Sequence, residues 1–333
     1  MTAYTGAKGQ NILIVSSDPA NPLEGQIWYN TTSNTLKGYQ FNQDSWASGG
    51  NLGTASYSRG TAGTQTSSLI FGGTSGPAYN TNSESYNGTN WTSTPSLNTG
   101  RFGVAGAGVS NTSAVAFGGF VTPPAGIYSA ATEKFNGSSW TSSGNLNTGR
   151  AYLAGCGTQT SAIAFGGSSS PPSTFAYTES YNGTSWTAVN ALNTGRYGLG
   201  GAGTQTAALG YGGNQSPPRT AATESWNGTN WTSVTSMPAI TQNTASFGIQ
   251  TLALAAGGAN VPNTGIATTV QYDGTSWSAS ANLSTARSSA GGAGTKAAGI
   301  VSGGGSNFGG GSVFNSTEEL TGGGLTTKTI TAS

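Results

Sequence analysis

An all-β fold assembled from repeats is what this sequence predicts, and three observations carry that expectation. One phrase is written six times. In its clearest copy Leu192-Asn-Thr-Gly-Arg196 leads to Gly201-Ala-Gly-Thr-Gln-Thr206, then Gly212-Gly213, then Thr223-Glu-Ser-Trp-Asn-Gly-Thr-Asn-Trp231. The closing tryptophan recurs as Trp46, Trp91, Trp140, Trp186, Trp231 and Trp277, about 45 residues apart, with Leu325 in the slot beyond. No stretch shows a 3.6-residue apolar period; short apolar runs are instead bounded by Gly, Asn, Ser and Pro.

Residues 196–236 justify the elements in order. Residues 196–203 alternate small and larger side chains and form strand a. Thr204-Gln205-Thr206 is a polar turn, and the apolar run 207–211 is a buried strand b, ended by Gly212-Gly213. A loop with Pro217 and Pro218 follows. Residues 222–226 are strand c, and Trp231 opens strand d. Between them Asn227-Gly228 is a hairpin signal, because both residues tolerate positive φ. Four short strands per repeat, with a glycine doublet and a periodic Trp, describe a propeller blade. Inner strands crowd the axis and need small side chains, which 104–108 and 199–203 supply. Each buried aromatic removes about 150–250 Å² from water, so the Trp and Tyr residues are expected as core filling between blades rather than as ligand platforms.

Gly118-Gly119, Phe135, Trp140 and Arg150, recurring as Gly166-Gly167, Tyr181, Trp186 and Arg196, resemble the kelch pattern of β-propellers over about residues 50–330. The aromatic-to-Trp spacing is shorter than in that family, and Gly, Ser and Thr are unusually frequent. The resemblance implies a kelch-like β-propeller; six a–b pairs make it six-bladed over residues 51–333, with an N-terminal β-rich docking extension over residues 1–50. Because residues 36–46 match the c–d half alone, the competing count is seven blades, with 11–15 and 26–29 as divergent inner strands.

The extension carries a second resemblance. Gly25-Gln-Ile-Trp28-Tyr29-Asn30, a polar turn, then Leu36-Lys37-Gly-Tyr39 is similar to a β element of bacteriophage tail and fibre proteins. This implies a virion protein, assembled in the host cytoplasm in multiple copies, with tail or capsid proteins as partners and Trp28 and Tyr29 at the docking surface. The start at Met1 lacks the pattern of a signal peptide, as such a protein would.

Composition removes several classes. Charged residues are 6% of the chain and the net charge is +1, which argues against a nucleic-acid partner. No apolar run approaches a membrane span. There is no histidine, so the commonest general base and most transition-metal sites are missing. No phosphate loop or calcium loop occurs, and neither metal nor cofactor is expected. Asp273 stands in a slot that is otherwise Asn and reads as a turn residue. The single Cys156 takes the slot of Ala107 and Ala202, a small buried position.

Glu84, Glu133, Glu179, Glu224 and Glu318 share one slot of strand c. They could line a glycosidase-like site, which needs two carboxylates around one pocket. The preferred reading pairs them with Arg101, Arg150, Arg196 and Arg287. The fifth repeat supports pairing, since Thr241 and Val270 replace both charges together; the first repeat breaks it, with Ser56 opposite Glu84. Sequons such as Asn87-Gly-Thr and Asn182-Gly-Thr are explained by turn geometry.

The a–b and c–d turns are uniform; length variation sits in the b–c loops, on the face shared with the d–a links. Variable loops on a rigid scaffold are a common way to build a binding face. Tyr79, Phe120, Phe175, Arg219 and Phe308 are its candidate ligand-binding residues. The function expected is a non-enzymatic phage structural protein, on the tail or the capsid surface, contacting a host-surface glycan or protein. The alternative is a bacterial cell-surface or secreted kelch-like carbohydrate-binding protein.

Overall fold

The computed structural model describes residues 12–23, 25–76, 79–121, 127–169, 173–215, 218–308 and 310–330. Two compact units emerge: Met1–Asp44 with Gly322–Ser333, and Ser45–Thr321. Among the described residues every regular element is a strand.

Among the described residues the larger unit shows six four-stranded antiparallel sheets. In the fourth repeat the strands are Gly200–Gly203, Ala208–Tyr211, Thr223–Trp226 and Trp231–Val234, in the a-b-c-d order expected from the sequence. The last sheet differs. Its first three strands are Gly291–Gly294, Ala298–Ser302 and Thr317–Thr321, and its fourth is Ser45–Gly49 from the other end of the chain. Leu320 lies opposite Trp46. Trp46, not Leu325, therefore fills the last tryptophan slot, and Leu325 pairs with Phe41 in the smaller unit. Residues 45–49 belong with the repeats and 322–329 do not, so a division at residue 50 cuts through a sheet.

The strands a form a closed ring, in which Gly291–Gly294 lies beside Gly60–Thr64. Thr61 Oγ1 donates to the Gly292 carbonyl at 2.8 Å. Two sets of backbone hydrogen bonds run round the ring. The second glycine of each doublet donates to the next repeat: Gly73 to Arg101, Gly119 to Arg150, Gly167 to Arg196, Gly213 to Thr241, Gly258 to Arg287 and Gly304 back to Ser56. Nearer the axis, Gly103 donates to Ser58, Tyr152 to Gly103, Gly198 to Tyr152, Asn243 to Gly198, Ser289 to Asn243 and Ser58 to Ser289, all at 2.7–2.9 Å. These six residues have φ of +54 to +63°, a conformation that favours glycine and is uncommon for Tyr or Ser.

Side chains hold neighbouring sheets together. In four repeats the Trp meets the strand-b aromatic of the preceding one edge-on or tilted: Phe71–Trp140, Phe117–Trp186, Phe165–Trp231 and Tyr211–Trp277, with centroids at 4.8–5.0 Å. Three of their indole nitrogens donate to a strand-c threonine of that same preceding sheet (Trp186 to Thr132, Trp231 to Thr178, Trp277 to Thr223). The tryptophans are thus structural, as buried aromatics with a polar handle usually are. Small residues in strand a follow from this packing. A Cβ on Gly155 would stand 2.4 Å from Phe117 Cζ, so the strand must stay bare for the neighbouring ring to fit.

The smaller unit is one sheet ordered Leu13–Val15, Ile27–Asn30, Thr35–Asn42, Gly324–Thr329. The first two strands pair in parallel, unlike the antiparallel a–b pair of a blade; Asn11 lies outside the described residues. Trp28 is fully buried, and its indole nitrogen donates to Asp18 at 3.0 Å. Asn30 and Lys37 reach the same carboxylate at 2.8 and 2.7 Å. These donors, Lys37 first, hold the Asp18 carboxyl down to about 2. Trp28 is therefore the anchor of this sheet and presents no docking surface. Tyr29 is half-buried, with its hydroxyl on Asn34.

Candidate binding face

The repeated phrase Leu-Asn-Thr-Gly-Arg builds the links between sheets. Leu146 is buried, and its N–H donates to Ala130. One residue later Asn147 N–H donates to Glu179 of the following sheet at 2.7 Å, and Arg150 ends the phrase paired with the other oxygen of that carboxylate at 2.5 Å. The same latch joins Arg101 to Glu133 at 2.7 Å, Arg196 to Glu224 at 2.9 Å and Arg287 to Glu318 at 2.9 Å. In the first repeat, where Ser56 holds the arginine slot, Arg59 reaches Glu84 from three residues further on at 3.4 Å. Sequence alignment missed this substitute because it sits out of register. Burial pushes each arginine pKa down and the paired glutamate pushes it back up. All five carboxylates of the slot are buried and paired, so none is presented to a substrate.

The c–d turns are equally local. Asn182 Oδ1 accepts from the N–H groups of Thr184 and Ser185 at 2.9 and 2.8 Å. Asp273 does the same for Thr275 and Ser276, which makes it a turn residue as its slot implied. Cys156 is buried, and that burial pushes its thiol up to about 12.

The d–a links pair with the start of the b–c loops, as Tyr57 with Thr74, Tyr197 with Asn214 and Gln242 with Ala259, so both sets of segments share a face. Aromatic side chains gather there. Tyr79 lies 4.4 Å from Phe102 and 5.9 Å from Phe120 between ring centroids; Phe120 meets Tyr128 at 4.7 Å. Phe102 meets Tyr152 at 5.6 Å, and Tyr152 meets Tyr197 at 6.2 Å and Phe308 at 5.7 Å. All are half-buried. Burial holds the hydroxyls of Tyr128, Tyr152 and Tyr197 protonated well above neutral pH.

Of the five residues singled out from sequence, Tyr79, Phe120 and Phe308 join this cluster. Phe175 stacks on Tyr177 at 4.7 Å. Arg219 donates to Asn260, Pro262 and Asn263 of the next loop, tying two loops together. Residues 77–78, 122–126, 170–172, 216–217 and 309 of these loops lie outside the described residues. Phe102, Tyr152 and Tyr197 were missed because they follow the link arginines and read as the start of strand a. Their position on the d–a side was the available signal.

A channel opens along the ring axis. Its cavity of about 210 Å³ is lined by the six strands a, chiefly Gly and Ala. A second cavity of about 110 Å³ lies at the positive-φ ring, lined by Ser58, Tyr152, Asn243 and Ser289 among others.

No protein-family model matches the chain, and no curated protein matches it. Among solved structures it is similar to that of YjhT, with a TM-score of 0.70 at 14% identity, covering 83% of this chain and 99% of that chain. YjhT is a β-propeller, and with the repeated four-stranded sheets this likeness shows the β-propeller fold.

Proposed function

We propose that this chain is a non-enzymatic structural protein of a bacteriophage particle, on the tail or the capsid surface. Its kelch-like propeller of six blades, the last completed by residues 45–49, would bring one face to the host surface. The observation that carries the reading is the aromatic cluster collected on that face from separate d–a links and b–c loops, while the glutamate slot is closed off by buried arginines. Clustered, half-exposed aromatic side chains are suited to recognition. The resemblance of residues 21–39 to a tail and fibre element supports the particle. The partners are then other virion proteins and a host glycan or protein.

Gold-labelled antibody against the full chain, applied to particles from a lysate, tests this. Label on the particle surface is expected. Label confined to the envelope of uninfected cells would overturn the assignment in favour of a cell-surface carbohydrate-binding protein. Incubation with host surface polysaccharide should release no reducing ends; sustained release would establish an enzyme.

A further inference from the structure

The six positive-φ residues at the mouth of the channel repeat in backbone but not in side chain. Gly103 and Gly198 flank Tyr152, while Asn243, Ser289 and Ser58 complete the ring on the other side, with Ser289 opposite Tyr152 in ring order. The mouth therefore has one aromatic wall and one polar wall. The bare glycines leave room for it: a Cβ on Gly103 would stand 3.2 Å from the Tyr152 ring, and one on Gly198 2.9 Å from Asn243 Oδ1.

The polar wall lacks partners. Ser58 Oγ, Ser289 Oγ and Asn243 Nδ2 are buried without a hydrogen bond, and Ser58 and Ser289 are only 9% and 7% exposed. All three residues line the cavity of about 110 Å³ together with Tyr152. Buried polar atoms are almost always bonded, so such a set in a cavity large enough for water points to a hydroxylated occupant. The charge of that occupant follows from the lining. Arg59 is the charged residue among the described lining residues, and it is engaged by Glu84 and the Gly72 carbonyl.

From this juxtaposition we infer that the channel mouth binds the terminal pyranose of a neutral glycan. Its C–H face lies on Tyr152, and its hydroxyls meet Ser58, Asn243 and Ser289. Phe308 of the sixth repeat packs edge-on against the Tyr152 ring at 5.7 Å between centroids. The inference rests on the attachment reading and names its ligand class.

Calorimetric titration of the full chain with methyl hexopyranosides and methyl glucuronide, beside binding to host cells, provides the test. At least one neutral hexoside should bind, and the glucuronide at least tenfold more weakly. Tyr152→Asn, which retains a residue tolerant of positive φ, should weaken hexoside binding at least tenfold, and Ser289→Ala about threefold, with unchanged circular dichroism and melting. Preference for the glucuronide would overturn the inference. So would hexoside binding untouched by both variants but lost in Tyr79→Ala. Cell binding without any glycoside binding would overturn this site and leave the attachment reading standing, whereas gold label absent from particles removes the particle reading alone.

Discussion

The third and fifth repeats differ at one latch. In the third, Asn147, Arg150 and Glu179 form a buried network: the backbone N–H and side-chain amide of Asn147 reach one carboxylate oxygen, and the guanidinium reaches the other. In the fifth, Pro238 stands where Asn147 does, Thr241 replaces the arginine, and Val270 replaces the glutamate. Donor N–H, cation and anion have vanished together. Thr241 is buried with its hydroxyl on the Met237 sulfur, and Val270 packs in the same core as Met237. A buried ion pair is a closed set of obligations: its members are tolerable together or absent together.

The largest expected effect comes from breaking that set. Arg150→Met leaves the Glu179 carboxylate buried without its cation and should lower unfolding free energy by about 3–5 kcal/mol, read by urea denaturation. A turn outside the latch gives a smaller change: Asn182→Ala removes an acceptor of two N–H groups on an exposed hairpin and should cost about 1 kcal/mol. The exposed pair of the smaller unit behaves differently again. Asp18 titrates below its usual range because it accepts from Lys37, Trp28 and Asn30. Its contribution is present above pH 3.8 and lost as pH falls through about 2. Amide exchange in residues 27–30 should therefore accelerate over that interval in the native chain and show no such step in Asp18→Asn. The smallest effect should come from copying the fifth repeat into the third. The triple change Asn147→Pro, Arg150→Thr, Glu179→Val should stay within about 1 kcal/mol of the native chain. A loss as large as that of Arg150→Met would show that the two latches are not interchangeable.

What was legible in the sequence was local. The strand order of each repeat, the turn at Asn227-Gly228 and the pairing of Glu133 with Arg101 all follow from residues within one repeat. The strand 45–49 was not legible as part of the last sheet, because its partner Thr317–Thr321 lies at the other end of the chain and no local pattern reports register. Arg59 was hidden by its displacement from the aligned slot. At the candidate face the loops were legible by their variation, giving Tyr79, Phe120 and Phe308. Tyr152 was not, because its place in the ring depends on a backbone conformation shared by six residues far apart in sequence.

The ring that Ser58 and Ser289 complete has a kinetic consequence. Closure joins the first repeat to the last, and among the described residues Ser45–Gly49 pairs with Thr317–Thr321. During synthesis the early strand, with Trp46, has no edge to join until residues 317–321 have emerged. Contacts so distant in sequence form late and slowly. Until then both the nascent first sheet and this orphan strand stay open to pairing with another copy, so the growing chain is vulnerable until residues 317–321 appear.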